Sequence, residues 1–299
     1  MKKCLITGAS GLVGSRLVPS MDDEWLVFAL SRSRLDGLDG DRIRPLTVNL
    51  SKSWDTDVLP EQVDAIIHLV QSEYFRDFPH HAEDVFQVNT VSTVRLLDYA
   101  RCAGARTFVL ASSGGIYGSG EQEFSEEMEI SARGDLGFYL CTKLCSEIVA
   151  ESYTPFMNVM VLRFFFVYGP GQRQGMLIPR LVRAVVNGKP IILQGSDGIR
   201  INPTYVDDAV AAIKQSLEIS GSHKVNVGGP EVLSLREIGE TIGQARGRRP
   251  NFSVQANSDP RHLVGDIRKM SELLGQPEVR FREGIRRYLR EVKHDEYCR

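Results

Sequence analysis

Short apolar runs alternate with longer amphipathic stretches through the first half of the chain. The apolar runs predict β-strands at residues 3–6, 26–30, 45–48, 63–70, 106–111 and 159–164. Helical spacing of apolar residues predicts a helix that begins with residues 12–19 and two more over 83–102 and 138–153. Strands that are apolar almost throughout and separated by helices are typical of a parallel sheet covered on both faces.

The pattern becomes less regular after Gly169-Pro170-Gly171. Helices are predicted over residues 177–186 and 207–217, with a short strand over 190–193 and a polar tail that contains proline. We therefore predict one large domain over residues 1–170, to which elements around 200–228 return. Residues 171–299 mainly form a second, smaller α/β lobe.

Composition and charge narrow the possible classes of protein. The 299 residues are 42% hydrophobic and 25% charged, a balance typical of globular proteins. A net charge of −2 gives no sign of a nucleic-acid partner. No apolar run reaches the ~20 residues of a membrane span, and the run after Met1 is too short for a signal peptide. Since the five cysteines are scattered, we expect a reduced, cytoplasmic protein without membrane or metal partners.

A glycine-rich loop lies between the first strand and the first helix. Gly8 permits a tight turn, Gly11 lets backbone N–H groups approach a pyrophosphate, and Gly14 lets the helix pack closely on the strand. The same loop contains Ser10, Leu12 and Val13. This context, strand before and helix after, predicts a dinucleotide-binding loop.

The end of the second strand indicates which dinucleotide is bound. Ser31, Arg32 and Ser33 stand where an acidic residue would otherwise bind the adenosine ribose. Since Ser31 can donate to a phosphate and Arg32 can pair with it, the sequence favours NADP over NAD. Stacking of Arg32 on adenine, or its exposure to solvent, stays open. Asn49 and Leu50 are the next candidates for contact with adenine.

Tyr139 and Lys143 are four residues apart and lie on one face of a predicted helix. A phenol titrates near about 10 in water, so a base at neutral pH needs its pKa lowered. A neighbouring ammonium and a positively charged nicotinamide would do so. Ser113 directly follows a predicted strand, at the end of the sheet where ligands bind, and can hydrogen-bond the reacting oxygen.

With these motifs the chain resembles the extended short-chain dehydrogenase/reductases, in particular the nucleotide-sugar epimerase/dehydratase group. The resemblance covers nearly the whole length and extends beyond the glycine loop and the Tyr-Lys pair. It includes Asp64-Ala65-Ile66-Ile67-His68-Leu69, Asn89, Leu162-Arg163-Phe164, Tyr168-Gly169-Pro170-Gly171, Tyr205-Val206-Asp207-Asp208 and Asn226-Val227-Gly228-Gly229-Pro230. The implied fold is a Rossmann doubly wound parallel sheet with a smaller C-terminal substrate-binding lobe.

The resemblance also implies roles for single residues. Ser113, Tyr139 and Lys143 would be catalytic, with a hydride taken from a sugar carbon and returned to its other face, and Asn89 would be structural. Further cofactor contacts would come from Leu69, Val70, Gln71, Ala111, Phe165 and Val167, besides Tyr139 and Lys143. Substrate contacts would come from Gln71, Ser113, Phe166, Arg200 and Arg261, with Arg173 a weaker candidate. Relatives often dimerise through the helices at 83–102 and 138–153, and Leu96, Leu97 and Tyr99 could supply a second buried face.

Some positions depart from the family pattern. Gly114-Gly115 stands where the dehydratases have an acidic pair, which argues against a 4,6-dehydratase. Phe166 replaces a usual Asn, Val70-Gln71 replaces two alanines, and Ile201 replaces an Arg whose role Arg200 could take. Hence the leading hypothesis is an NAD(P)-dependent epimerase of the UDP- or dTDP-hexose 4-epimerase type. An NADP-dependent keto-sugar or carbonyl reductase is the main alternative, ahead of a dehydratase or a non-catalytic dinucleotide-binding protein.

Overall fold

The computed structural model describes residues 1–35, 40–131, 136–255 and 261–292. Its strands are β1 (Lys2–Thr7), β2 (Trp25–Ser31), β3 (Ile43–Thr47), β4 (Ala65–His68), β5 (Thr107–Ser113), β6 (Asn158–Phe164), β7 (Pro190–Gln194), β8 (Arg200–Ile201), β9 (His223–Val227), β10 (Leu233–Ser234) and β11 (Asn251–Gln255). Its α-helices are α1 (Gly14–Ser20), α2 (Ala82–Phe86), α3 (Ser92–Cys102), α4 (Gly137–Glu151), α5 (Leu177–Val186), α6 (Val206–Ser216), α7 (Leu235–Arg246), α8 (Arg268–Leu273) and α9 (Phe281–Glu291).

The chain divides into two compact units, each made of several segments. The first comprises Met1–Ile116, Glu129–Arg163 and Val210–Val225, and the second comprises Tyr117–Met128, Phe164–Ala209 and Asn226–Arg299.

A seven-stranded sheet, in the order β3-β2-β1-β4-β5-β6-β9, forms the centre of the first unit. The pairs β3-β2, β2-β1, β1-β4 and β4-β5 are parallel, as the apolar runs predict. The order reverses between β1 and β4, the point at which such sheets bind ligands beside their carboxyl ends. The doubly wound fold is thereby confirmed, although β4 is shorter than the predicted strand over residues 63–70.

The predicted helix over residues 83–102 is interrupted. A π-helical segment, Gln87–Val91, separates α2 from α3. The widened turn contains Asn89, whose backbone oxygen accepts hydrogen bonds from Thr93 Oγ1 at 2.6 Å and from Ser146 Oγ at 2.9 Å. Side-chain hydroxyls thus satisfy a carbonyl that a regular helix would pair with a backbone N–H.

Leu96, Leu97 and Tyr99 do not form a second exposed face on α3. The two leucines are fully buried, and all three belong to the core of the first unit together with Phe108 of β5. The argument that these residues prepare a dimer interface is therefore wrong, and dimerisation stays a prediction of the family resemblance alone.

The second unit contains two small sheets. In one, β7 and β11 are parallel, and in the other, β8 and β10 are antiparallel. Tyr168 and Tyr205 pack edge to face with ring centroids 5.5 Å apart, and Phe281 of α9 contacts Tyr168. Within the described residues, no helix is both long enough and apolar enough to cross a bilayer.

Candidate active site

Helix α4 carries a polar stripe that is bound to the carboxyl end of β5. Its members are spaced by four residues and therefore lie on one face. They bond to three consecutive residues of the strand: Tyr139 to Ser113, Lys143 to Ala111 and Glu147 to Ser112. The three predicted catalytic residues thus come together at the end of one strand.

The Tyr139 hydroxyl lies between the ends of two neighbouring strands. It donates to Gln71 Oε1, which follows β4, at 3.0 Å, and it is hydrogen-bonded to Ser113 at the end of β5. The Phe75 ring packs against the Tyr139 ring with centroids 5.0 Å apart. A hydroxyl, an amide and a phenol therefore converge where a reacting sugar oxygen could be bound.

The surroundings of Tyr139 do not lower its pKa as the sequence led us to expect. Burial raises the pKa of the phenol well above its ordinary value, and the hydrogen bond with Ser113 and the charge of Arg76 oppose this only in part. Removal from water penalises the phenolate more than these groups stabilise it. A base at neutral pH therefore needs positive charge beyond that of the protein's side chains.

Lys143 is almost completely buried, and its Nζ donates to the backbone oxygen of Ala111 at 3.0 Å. Burial lowers the pKa of Lys143 to about 8, against the opposing effect of the Glu147 carboxylate. Its amine therefore remains mostly protonated at neutral pH and can stabilise a negative charge on Tyr139.

Glu147 and its partners were not among the sequence predictions. Arg163 Nη2 donates to Glu147 Oε2 at 2.7 Å, and Arg163 Nε lies 3.2 Å from both carboxylate oxygens. The two side chains are 3% and 2% exposed, so this ion pair is inside the protein. An arginine within an apolar strand is the sequence signal, because a buried charge needs a buried partner.

The glycine loop has the conformation that its sequence predicts. Gly8 adopts a φ of 72°, and a Cβ added to it would lie 3.0 Å from the backbone nitrogen of Val70. A Cβ on Gly14 would lie 2.2 Å from the Gly8 oxygen, so a side chain is excluded there. Gly8 therefore packs on Leu69 and Val70, which directly precede Gln71, the partner of Tyr139. The close packing around Gly8 and Gly14 is the conformation that a dinucleotide-binding loop requires.

Both side chains that favoured NADP are engaged within the protein. Arg32 Nη1 donates to Glu73 Oε1, and the hydroxyl of buried Ser31 donates to the backbone oxygen of Ser33. Arg32 is the more exposed partner of its ion pair, at 59% against 27% for Glu73. A 2′-phosphate would therefore have to compete with a carboxylate for the guanidinium.

The other predicted cofactor residues of the first unit differ in what they offer. Asn49 Oδ1 accepts from the backbone nitrogen of Ser51 at 3.1 Å, and Leu50 is buried in the core. Ser10, Gly11 and Ser33 are exposed, whereas Leu12, Val13, Leu69, Val70 and Ala111 are half-buried. Leu50 can therefore contribute little but backbone to a bound nucleotide.

The predicted residues Phe165, Phe166, Val167, Arg200 and Arg261 belong to the second unit. Phe165 is 1% exposed, which leaves little of it for a cofactor to contact. The exposed Arg200 is tied to the segment after Arg261, because its backbone nitrogen donates to His262 Nδ1 at 3.0 Å. Arg173 is also exposed.

Phe166 has a φ of 45°, in the left-handed region. A bulky side chain is uncommon there, whereas Asn tolerates it well. The backbone conformation at position 166 therefore suits the usual Asn better than the Phe that this chain has.

His68 connects β4 with β1 below the glycine loop. Its Nδ1 lies 2.8 Å from Thr7 Oγ1 and its Nε2 lies 3.1 Å from Thr93 Oγ1. Since Thr93 donates to Asn89, it must accept from His68 Nε2, and Nδ1 accepts from Thr7. Burial and the charge of Lys143 lower the pKa of His68 to about 3, so the ring is neutral.

Among the described ranges, no group of three or more His, Cys, Asp or Glu could hold a metal ion.

Comparison with known proteins identifies similar chains that align with this one over nearly their whole length. Residues 4–228 match the model of the NAD dependent epimerase/dehydratase family. The uncharacterized UDP-glucose epimerase YtcB of Bacillus subtilis (strain 168) is 28% identical, with 95% of each chain covered. The UDP-glucuronate 4-epimerase of Thermodesulfobacterium geofontis is 26% identical, with 95% of this chain and 94% of that protein covered. The solved structure of MoeE5 in complex with UDP-glucuronic acid and NAD is 29% identical, covers 97% of this chain and 98% of its own, and superposes with a TM-score of 0.82.

The neutral, buried His68 predicts how stability depends on pH. Its pKa is about 3 in the folded protein but about 6.5 when unfolded, so the unfolded chain binds the additional proton between these values. The stabilisation is complete above about pH 6.5 and is lost as pH falls toward 3. We expect His68 to account for about 2 kcal/mol of the loss in unfolding free energy between pH 7 and pH 5.

Urea denaturation at the two pH values measures this effect. The loss should be smaller in His68→Gln by that amount, whereas the exposed-residue control His80→Gln should match the wild type. An equal loss in wild type and His68→Gln would show that His68 does not carry the effect.

Proposed function

Because the chain belongs to the NAD dependent epimerase/dehydratase family, we propose that it is a nucleotide-sugar 4-epimerase with a bound nicotinamide dinucleotide. The observation that supports this most is the convergence of Ser113, Tyr139 and Lys143 beside the glycine loop. Gln71 joins the two parts, since it bonds to Tyr139 and directly follows the segment on which Gly8 packs. A binding protein without chemistry would not need this arrangement.

The substrate class follows from the similar proteins. MoeE5 has been solved with UDP-glucuronic acid and with UDP-glucose, at 29% and 28% identity to this chain. We therefore propose a UDP-hexose or UDP-hexuronic acid, in preference to the dTDP-hexoses that the sequence also allows. Gln71, Ser113, Phe166, Arg200 and Arg261 remain the proposed substrate contacts.

The residues around Tyr139 have distinct tasks in this reaction. A bound oxidised dinucleotide would supply a hydride acceptor and donor for the sugar carbon and would add positive charge to the site. Tyr139 removes the proton from the sugar hydroxyl and later gives it back, while Ser113 donates a hydrogen bond to the same oxygen. Lys143 lies one helical turn from Tyr139 on the same face of α4 and supplies a positive charge on that side of the site.

The alternatives have less support. In a 4,6-dehydratase, an acidic pair would be needed where this chain has Gly114 and Gly115, and neither supplies a carboxyl group. The reductase depends on NADP recognition by Ser31 and Arg32, and both are bound to protein groups. Loss of added NADPH in proportion to product would nevertheless establish a reductase.

Tyr139 carries the proton transfer in the proposed reaction. We expect Tyr139→Phe to lower kcat for C4 epimerisation by about 10²–10⁴-fold, because the proton-transferring hydroxyl is lost while the ring stays packed. The assay follows UDP-glucuronic acid and UDP-glucose by NMR, with no reduced cofactor added. Cys141→Ser, on the exposed face of the same helix, is the matched control and should keep wild-type activity. Activity of Tyr139→Phe close to that of the wild type would refute the proposed role.

The ion pair between Arg32 and Glu73 bears on the choice of dinucleotide. We propose NAD as the resident cofactor, against the preference for NADP that Ser31 and Arg32 favour, since Glu73 occupies Arg32 and adds negative charge near it. Glu73→Gln should release Arg32 and shift the ratio of NADP to NAD affinity about tenfold toward NADP.

Isothermal titration with each dinucleotide measures this ratio. Glu61→Gln changes an exposed carboxylate that is not paired with Arg32 and should leave the ratio unchanged. Tighter binding of NADP than NAD by the wild type, or an unaltered ratio in Glu73→Gln, would contradict the proposal.

A further inference from the structure

The buried ion pair behind the catalytic residues has a geometry that suggests more than a structural role. Glu147 follows Lys143 by one helical turn, on the same face of α4, and both are buried. Its carboxylate accepts a hydrogen bond from Arg163 of β6 and another from the Ser112 hydroxyl of β5. Glu147 therefore links α4 to two neighbouring strands, β5 and β6, and β5 is the strand that ends in Ser113.

We propose that Glu147 is a positioning residue of the active site: held by Arg163, it keeps Lys143 in its charged form and fixes Ser112, and with it the placement of α4 on β5. Glu147 itself is not proposed to contact the substrate. The inference rests on the proposed function for its effect on catalysis, but its effect on Lys143 can be measured independently.

The charges around Lys143 support the electrostatic part. Burial alone favours the neutral amine, and the Glu147 carboxylate is the group that opposes this. His68, packed from β4, is neutral, and Tyr139 is uncharged until it has lost its proton. Arg163 carries a positive charge but is paired with Glu147, and Glu147 is the charged group that raises the pKa of Lys143.

The bonding pattern supports the positional part. Ser112 is followed by Ser113 and preceded by Ala111, whose oxygen accepts from Lys143. The Ser112–Glu147 contact is thus the central one of three between β5 and α4. The acceptor in this contact, the Glu147 carboxylate, is also paired with buried Arg163. A shift of α4 along the strand would therefore leave a buried charge unpaired, which is strongly unfavourable.

The experiment separates these roles with three variants. Glu147→Gln removes the charge, and Glu147→Gln/Arg163→Gln removes it without leaving a buried arginine unpaired, which protects folding. Ser112→Ala removes only the hydroxyl and keeps both charges. Lysine labelled with ¹³C at Cε reports the titration of Lys143 by NMR, with its signal assigned by Lys143→Arg, and kcat and KM are measured across pH in the same proteins.

We expect the Lys143 midpoint to fall by about one pH unit in Glu147→Gln. It should fall less in the double variant, because the repulsion from Arg163 is lost as well, and it should not move in Ser112→Ala. The alkaline limb of kcat should move to lower pH with the midpoint. At pH 7.5 kcat should fall by at least about threefold, which is the loss of protonated Lys143 at that pH, with KM changed far less. Ser112→Ala should lower kcat without a shift of this limb.

A folded double variant with the wild-type midpoint and the wild-type kcat would overturn the inference, since the pair would then be structural only. If neither charge variant folds, a wild-type kcat in Ser112→Ala would overturn the positional part. Absence of epimerase activity in the wild type would refute the proposed function, while the NMR titration would still decide whether Glu147 keeps Lys143 charged.

Discussion

The candidate active site of this protein depends on how one helix is attached to one strand. Tyr139, Lys143 and Glu147 form a single stripe on α4, and each is bonded to a different residue of the last three in β5. The contacts of Glu147 are buried and those of Lys143 and Tyr139 are partly buried, so that unpaired groups would be unfavourable there. They therefore fix both the rotation and the axial position of α4, and with them the position of the phenol.

The burial of these contacts also changes the pKa values of Tyr139 and Lys143. Away from water, the pKa of Tyr139 rises and that of Lys143 falls to about 8, so both residues are driven toward their neutral forms. The protein opposes this with hydrogen bonds and with one carboxylate, but it does not reverse it for the phenol. The positive charge of a bound dinucleotide would act in the same direction as these groups, by favouring the phenolate.

The fold and the convergence of Ser113, Tyr139 and Lys143 could be predicted from the sequence because each has a short-range signal. Apolar runs gave the strands of the parallel sheet, Gly8 and Gly14 gave the loop, and the four-residue spacing of Tyr139 and Lys143 placed them on one face. Partners distant in the sequence could not be inferred in the same way. Arg32 was assigned to a phosphate because no feature near it in the sequence indicates the pairing with Glu73. Leu96 and Leu97 were taken as a second face that a partner could bury, but the core of the first unit already covers them.

The account is tested most directly by the fate of the hydrogen on C4 of the sugar. UDP-glucuronic acid or UDP-glucose carrying deuterium at C4 would be incubated with the protein in ordinary water, and the product would be analysed by NMR and mass spectrometry. The account predicts the C4 epimer with the deuterium still on C4 and no release of reduced dinucleotide. Loss of the deuterium to solvent, its recovery in free reduced dinucleotide, or the absence of any C4 epimer would contradict it.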